Sequence, residues 1–172
     1  MNALYKELVK KDCTVVRQPG DFDDFSGGYG FEILDLDGRR LRFRTDALSL
    51  SAETNWGFPD KVSHVVLNTP DMEGLQNFYT SVLGFRISDY SGDQMVFLRC
   101  NSEHHTIALS RSSYPSVNHV AFDLSSIDEF MHSIGRMKQA GHNVSWGPGR
   151  HGPGNNPFAY FVSPPGFVVE FT

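Results

Sequence analysis

Apolar and polar positions alternate in short runs from residue 61 onward, a pattern that predicts strands separated by turns and by a helix. Residues 62–67 have the alternation of a strand, and residues 71–79 have helical spacing that runs on to a stop near Gly84. These two elements open a predicted β-α-β-β-β unit, which three further β-rich runs complete. Those runs are residues 86–90, 94–100 and 106–110.

The same order of elements then recurs. Residues 118–124 predict a strand and residues 127–140 a helix, with a stop at Gly141. His64 and His119 occupy equivalent places, early in the first strand of each unit, so a pseudo-twofold pairing of the units would bring the two histidines toward a shared cleft. The strands that complete this second unit are predicted near residues 142–146, 158–162 and 168–171.

The first fifty residues resemble part of such a unit. They predict a helix at residues 3–10 and strands near 14–17, 30–34 and 40–45, but no opening strand. Turn-forming and polar residues come next and mark a module boundary. We therefore expect an α+β protein of paired βαβββ units with a mixed, curved sheet. Its predicted divisions are an incomplete unit at residues 1–50, a linker at 51–60 and two complete units at 61–172.

Composition and charge exclude several classes of partner. The 172 residues are 40% hydrophobic and have a formal net charge of -5, without the basic stripe that neutralises phosphates. Apolar stretches are short, and the start lacks the order of a signal peptide. We expect no nucleic acid partner, no membrane partner and a cytoplasmic location. The widely separated Cys13 and Cys100 fit reduced thiols in that compartment.

Two strand histidines and one carboxylate are the candidate chemistry. Glu170 interrupts an apolar run at residues 167–171, and alternation places it on the same face as Val168. A carboxylate that faces inward needs a partner, and two imidazoles with one carboxylate form a ligand set that leaves one face of an iron(II) ion open. Taken singly, a strand histidine is more often structural, and a glutamate near a terminus is usually solvated.

Residues 61–172 also resemble the catalytic module of the type I extradiol ring-cleavage dioxygenases, in the vicinal oxygen chelate superfamily. The histidine-containing stretches, together with Tyr160 and Glu170, are specific to ring cleavage, whereas the segment at 78–85 marks only the superfamily. The matching stretches are residues 63–67, 78–85, 104–109, 118–122 and 147–156, together with Tyr160, Pro165, Gly166 and Glu170.

This resemblance implies a role for each residue of the site. The iron(II) ligands, with manganese(II) as the alternative metal, would be His64, His119 and Glu170. His105 would be the acid–base residue beside bound dioxygen, because a histidine titrates near neutral pH. His151 and Tyr160 would contact the substrate, which would be a substituted catechol.

A simpler structural interpretation exists for each of His105, His151 and Tyr160. Adjacent histidines face opposite sides of a strand, so one of His104 and His105 is expected to be peripheral; the family motif and the alternation favour His105 as the inward residue. His151 lies in a Gly/Pro-rich segment, 147–154, where a histidine is often merely exposed; we interpret this segment as a wall of the site. Tyr160 would otherwise be a core aromatic.

Two other functions remain open from the sequence. The metal site could serve another superfamily reaction, such as an isomerisation or a thiol transfer, or the chain could be a non-catalytic fragment that binds an aromatic ligand. Members of the family have two full modules, and an incomplete first module leaves an open sheet edge. We therefore expect a homo-oligomer, at least a dimer.

Overall fold

The computed structural model describes residues 1–48 and 58–172, so most of the predicted linker at 51–60 lies outside the described residues. The described residues form two compact units, one within Met1–Ser51 and Glu73–Gly84 and the other within Ala52–Met72 and Phe85–Thr172. The helices are α1 (Asn2–Lys10), α2 (Met72–Asn77) and α3 (Ile127–Gln139). The strands are β1 (Val15–Asp21), β2 (Tyr29–Leu34), β3 (Arg40–Thr45), β4 (Lys61–Thr69), β5 (Arg86–Ser91), β6 (Met95–Arg99), β7 (Ile107–Arg111), β8 (Ser116–Asp123), β9 (Trp146–Arg150), β10 (Pro157–Val162) and β11 (Val168–Phe171).

The first unit contains a three-stranded antiparallel sheet in the order β1-β2-β3, with α1 preceding it. The ring of Phe31 stacks on that of Phe43, with 5.1 Å between the centroids, and meets the ring of Tyr5 edge-on, with 5.3 Å between the centroids. The buried carboxylate of Glu32 pairs with Arg42 and Arg40 of the neighbouring strand. The predicted helix and strands of residues 1–50 are therefore present, with boundaries that differ by a few residues.

The second unit is built on an eight-stranded mixed sheet in the order β5-β6-β7-β4-β8-β11-β10-β9. The two central strands, β4 and β8, run antiparallel, while β4 pairs in parallel with β7 and β8 pairs in parallel with β11. The strand order is thus symmetric about the centre, as the predicted repetition of βαβββ units requires. Both histidine-bearing strands lie next to each other at this centre.

The helix between β4 and β5 differs in detail from the prediction. The α-helix ends at Asn77, and a π-helical turn, Phe78–Val82, continues it. Gly84 comes after it with φ +81°, a left-handed conformation that glycine adopts without the steric cost of a side chain. The predicted stop is therefore confirmed, although the last turn before it is not α-helical.

The prediction of a strand near residues 142–146 is wrong. The strand β9 begins at Trp146 and includes the first half of the Gly/Pro-rich segment 147–154. Proline lacks an N–H donor and is tolerated on an edge strand, and β9 lies at the edge of the sheet. The two glycines of β9 make room for Phe158 of β10. A Cβ at Gly149 would lie 2.7 Å from the Phe158 ring, and one at Gly147 would lie 2.8 Å from the Phe158 backbone oxygen.

One face of this sheet packs against α3. Ser126 caps that helix by accepting a hydrogen bond from the backbone N–H of Glu129. Phe130 and Ile134 of the helix are buried and form a cluster with apolar residues from the sheet: Leu124, Ala159, Phe161 and Phe171. Alternation along the strands places the residues between them on the opposite face, where the histidines lie. Within the described residues, no helix is long and apolar enough to cross a bilayer.

Candidate metal centre and its cavity

Strand register lines up the key residues across the sheet. His64 of β4 is opposite Ala121 of β8, and Ala121 is opposite Glu170 of β11. Glu170 is in turn opposite Tyr160 of β10. Residues directly opposite one another share a face, so these four side chains form one row. His119 lies two residues from Ala121 on the same strand and therefore on the same face.

Ala121 makes the convergence of His64 and Glu170 possible. Adjacent strands lie about 4.8 Å apart, so residues two strands apart are separated by roughly 10 Å at the backbone. The Nε2 atom of His64 nevertheless lies 3.2 Å from Oε2 of Glu170. Ala121 between them is fully buried and projects only a methyl group, so the two longer side chains meet above it.

Three potential ligand atoms meet at this point. Nε2 of His119 lies 3.0 Å from the same Oε2 atom of Glu170. Three potential ligand atoms, one each from His64, His119 and Glu170, all lie within 4.8 Å of one another. All three residues are buried. The sequence prediction of these three residues as a cluster therefore agrees with the geometry.

The donor set fits a divalent cation. Nε2 of His119 is buried and has no hydrogen-bond partner among the described residues, an arrangement that costs free energy unless a ligand is bound there. Burial opposes ionisation of Glu170, but contacts from His119, His151 and His64 outweigh it and hold the pKa of this carboxyl well below its usual range. The carboxylate is therefore ionised at neutral pH and available as an anionic ligand.

His105 lies directly against the cluster, with its ring centroid 4.1 Å from that of His64. Burial, together with the nearby His64 and His104, lowers the pKa of His105 to about 3, so its imidazole is neutral over the physiological range. His104 is more exposed, as expected, although both histidines precede β7 and the difference does not come from strand alternation. It is not isolated. Its Nδ1 atom lies 2.9 Å from Nδ1 of His105, and its Nε2 atom lies 3.9 Å from Asp89.

His151 and Tyr160 face the other oxygen of the carboxylate. Nε2 of His151 lies 3.3 Å from Oε1 of Glu170 and 3.2 Å from the Tyr160 hydroxyl. The His151 ring stacks on Phe158 at 4.1 Å, and β9 ends immediately before it. Burial and the charge of Glu170 raise the pKa of Tyr160 above its usual value, so its hydroxyl remains a donor at neutral pH.

A cavity of about 460 Å³ opens above these side chains. Its volume is in the range of small-molecule sites. All six predicted site residues line it, and so do the aromatic residues Trp146 and Phe97. No lysine or arginine contributes to its wall in the part of the chain that the structure describes. The rest of the lining is apolar or uncharged: Val66, Met95, Pro153, Val168, Ser91, Ser110, Asn118, Ser145 and Asn156.

Sequence reasoning gave no role to the residues that precede the two histidines. Oγ of Ser63 lies 3.2 Å from Nδ1 of His64, and Oδ1 of Asn118 lies 2.8 Å from Nδ1 of His119. A signal was present, because each strand has two consecutive polar residues where strict alternation would place one on each face.

The family model and the similar proteins point to the same superfamily. The model of the Glyoxalase/Bleomycin resistance protein/Dioxygenase superfamily matches residues 61–171. Metapyrocatechase 2 of Cupriavidus necator is 37% identical over 66% of this chain and 36% of its own length. The 2,2',3-trihydroxybiphenyl dioxygenase of Sphingomonas paucimobilis is 31% identical over 63% of this chain and 40% of its own length.

Among solved structures, the Mn(II)-bound glyoxalase from Novosphingobium aromaticivorans is similar to nearly the whole chain. It is 42% identical, with a TM-score of 0.91 over 99% of this chain and 57% of its own. The chain thus spans less than half the length of both sequence relatives and little more than half of this structure.

We predict that Ala121→Val separates His64 from Glu170 and weakens metal binding. Overpacking of this kind costs about 1–3 kcal/mol, so the affinity for Zn²⁺ should fall roughly ten- to a hundredfold. Competition with a chromophoric chelator measures the affinity. Ala159→Val is the matched control, because Ala159 is equally buried but faces α3. It should lower the free energy of unfolding without changing the affinity. Unchanged affinity in Ala121→Val would contradict the spacer role.

Proposed function

The chain belongs to the glyoxalase/bleomycin resistance protein/dioxygenase superfamily, and on that premise we propose that it cleaves the ring of a substituted catechol with dioxygen, next to one of the hydroxyl-bearing carbons. The observation that supports this proposal is the clustering of His64, His119 and Glu170 beside a neutral histidine and a protonated tyrosine. The relatives named as ring-cleaving dioxygenases support the same reaction class.

We propose His64, His119 and Glu170 as the residues that would hold the metal, iron(II) with manganese(II) as the alternative. A bound divalent ion would supply a Lewis acid that brings catechol and dioxygen together on its open face. One carboxylate and two neutral imidazoles leave a net positive charge on such an ion, which suits an anionic catecholate. The similar structure from Novosphingobium aromaticivorans is named as Mn(II)-bound, which supports a site for a divalent metal in this chain.

Two residues are suited to orient the substrate. The Tyr160 hydroxyl is a donor at neutral pH and lies within hydrogen-bond distance of His151. A catechol has two hydroxyl oxygens, and a donor placed near one of them makes the two inequivalent. We propose that this pair decides which hydroxyl loses its proton on binding, since the oxygen that accepts a hydrogen bond is the better anion.

His105 is suited to move a proton on the other side of the cluster. Its imidazole is neutral and buried, so one ring nitrogen carries a proton and the other can accept one. Its ring lies 4.1 Å from that of His64, one of the proposed ligands, measured between centroids. We propose that it accepts the proton that the catechol releases on binding and passes it to oxygen during ring opening, which returns the imidazole to its neutral form.

The cavity wall favours a neutral substituent on the catechol. Met95, Phe97 and Trp146 provide apolar surface, and no lysine or arginine of the described chain lines the cavity. A carboxylate substituent would lose its hydration without gaining a partner, which is costly. An alkyl or aryl group would bury apolar surface instead. We therefore propose alkyl- or aryl-substituted catechols as the substrate class.

A second candidate is a metal-dependent isomerase, because the similar Novosphingobium structure is named a glyoxalase. Such a reaction uses a metal and a proton-transfer residue but consumes no dioxygen. Oxygen uptake therefore separates the two. The pair formed by His151 and Tyr160 is suited to a diol with two inequivalent hydroxyls, and this favours the dioxygenase.

The larger organisation of the protein is also part of this proposal. We retain the division into a non-catalytic module at residues 1–50, a linker at 51–60 and a catalytic module at 61–172. Both cysteines of the chain, Cys13 and Cys100, are free, which supports a cytoplasmic location.

We predict that His64→Ala and Glu170→Ala remove bound iron, since each deletes a ligand. His105→Phe should retain iron and substrate binding but slow turnover by about 10²-fold or more. Metal analysis after anaerobic iron loading and an assay of yellow product measure the two effects. His132→Ala, on the exposed surface of α3, is the control and should leave both unchanged. Iron retained in the first two variants would contradict the assignment of ligands.

We predict stoichiometric oxygen uptake with neutral catechols after anaerobic iron loading. The kcat/KM for 3-methylcatechol should exceed that for 3,4-dihydroxyphenylacetate by at least roughly tenfold, because an unpaired buried carboxylate costs more than about 1.4 kcal/mol. An oxygen electrode measures both rates. Equal rates would contradict the neutral substrate class, whereas iron binding without oxygen uptake with any catechol would favour the isomerase.

We predict that the protein is at least a dimer. The three-stranded sheet of the first unit ends at β1 and β3, and exposed sheet edges are commonly covered by other chains. Sedimentation at micromolar concentration tests this. A single species with the mass of one 19.3 kDa chain would show that the edges remain uncovered.

A further inference from the structure

The two central strands of the eight-stranded sheet each contain a bulge, and the bulges are related by the pseudo-twofold symmetry. Along β4, the step from Val62 to His64 corresponds to a single step on β8. Along β8, the step from His119 to Val117 corresponds to a single step on β4. The extra residues are therefore Ser63 and Asn118. Each one immediately precedes a histidine of the metal cluster.

A bulge changes where the side chain of the extra residue can reach. In a regular strand, neighbouring side chains point to opposite faces, so a residue cannot bond to the ring of the next one. A bulge breaks this alternation and redirects the local side chains. Ser63 and Asn118 accordingly approach the adjacent rings, with the Oγ–Nδ1 distance 3.2 Å and the Oδ1–Nδ1 distance 2.8 Å.

The orientation of the Asn118 amide is fixed by a chain of hydrogen bonds. Its Nδ2 donates to Oδ1 of Asn68 at 3.0 Å, and Nδ2 of Asn68 donates to Oγ of Ser116 at 2.8 Å. With its nitrogen occupied in this way, Asn118 presents its oxygen to His119. An amide oxygen can only accept, so Nδ1 of His119 must carry the proton.

A proton on Nδ1 leaves the lone pair of a neutral imidazole on Nε2. Nε2 of His119 is the buried atom without a hydrogen-bond partner among the described residues, and it faces Glu170 at 3.0 Å. Nε2 of His64 faces the same carboxylate oxygen at 3.2 Å. Both histidines thus direct Nε2 toward one point, and for His119 this nitrogen has the lone pair.

We propose that Asn118 and Ser63 are positioning residues, placed by paired bulges, which hold the two histidines in the Nδ1–H tautomer and thereby set the metal affinity of the site. The inference rests on the proposed metal ligands. On this view the two bulges are part of the metal site and do more than curve the sheet. Partners that orient ligand histidines typically change metal affinity by 10- to 100-fold, roughly, when they are removed.

The two positions should differ in effect. The contact to His119 is shorter, and the amide oxygen of Asn118 has only one possible role. The hydroxyl of Ser63 can donate or accept, so it restrains the tautomer of His64 less strictly. Asn118 should therefore contribute more to affinity than Ser63.

The test compares Zn²⁺ affinities of the metal-free chain and its variants, by competition with a chromophoric chelator. Asn118→Ala should weaken binding at least about tenfold, and Ser63→Ala by a smaller factor. Asn118→Asp keeps an oxygen beside Nδ1 and should restore affinity close to that of the wild type. Ser116→Ala is the graded control, because it removes the outer hydrogen bond of the same chain and leaves the contact between Asn118 and His119 in place. It should lower the affinity less than Asn118→Ala does.

A second readout separates positioning from a general loss of stability. In the Zn²⁺-saturated wild type, the Nδ1–H proton of His119 should give a resonance that exchanges slowly with water. Asn118→Ala at saturating Zn²⁺ should lose this protection, while the unfolding midpoint of its metal-free form should match that of Ser116→Ala. Protection and affinity both unchanged in Asn118→Ala would overturn the inference.

The outcomes also distinguish this inference from the proposed metal site. His119→Ala is included in the same series. If it abolishes Zn²⁺ binding while Asn118→Ala binds normally, the metal site stands and the positioning role is wrong. If the wild type and His119→Ala bind Zn²⁺ equally, the proposed ligand set itself is wrong, and the inference falls with it.

Discussion

The buried charge of Glu170 is the constraint on which the rest of the site depends. A carboxylate with no exposed surface is unfavourable unless cationic or hydrogen-bonding groups surround it. The Nε2 atoms of His64, His119 and His151 lie within 3.3 Å of this carboxylate. In the tautomer inferred for His119, Nε2 has a lone pair and cannot donate to Glu170, so a divalent cation between them would satisfy both groups.

The repeated unit explains how these groups come together from distant parts of the chain. Pairing β4 with β8 at the centre of the sheet puts equivalent positions of the two units on neighbouring strands. The histidines therefore meet as a consequence of symmetry, while Glu170 joins from β11 across a single alanine. Strands, rather than loops, position these three groups, and sites built on strands have a more precise geometry than sites built on loops.

Much of this arrangement can be predicted from short-range pattern. Alternation predicts the strands and the inward direction of Glu170, and repetition predicts that His64 and His119 meet. The start of β9 could not be predicted in this way, because glycine and proline usually end strands and only the edge position of β9 makes them acceptable. The bulges at Ser63 and Asn118 were hidden for a related reason. A bulge is defined by the register between two paired strands, and the sequence of one strand does not contain that register.

The symmetry between the two units is broken at one position of the site. His119, Ala121 and Glu170 of the second unit correspond to His64, Val66 and Ala108 of the first, because Ala121 pairs with Glu170 just as Val66 pairs with Ala108. Ala108 is fully buried and occupies the place that corresponds to Glu170. An acid at both places would set two anions beside the histidines. With a methyl group there instead, the proposed ion would have protein ligands on one side only.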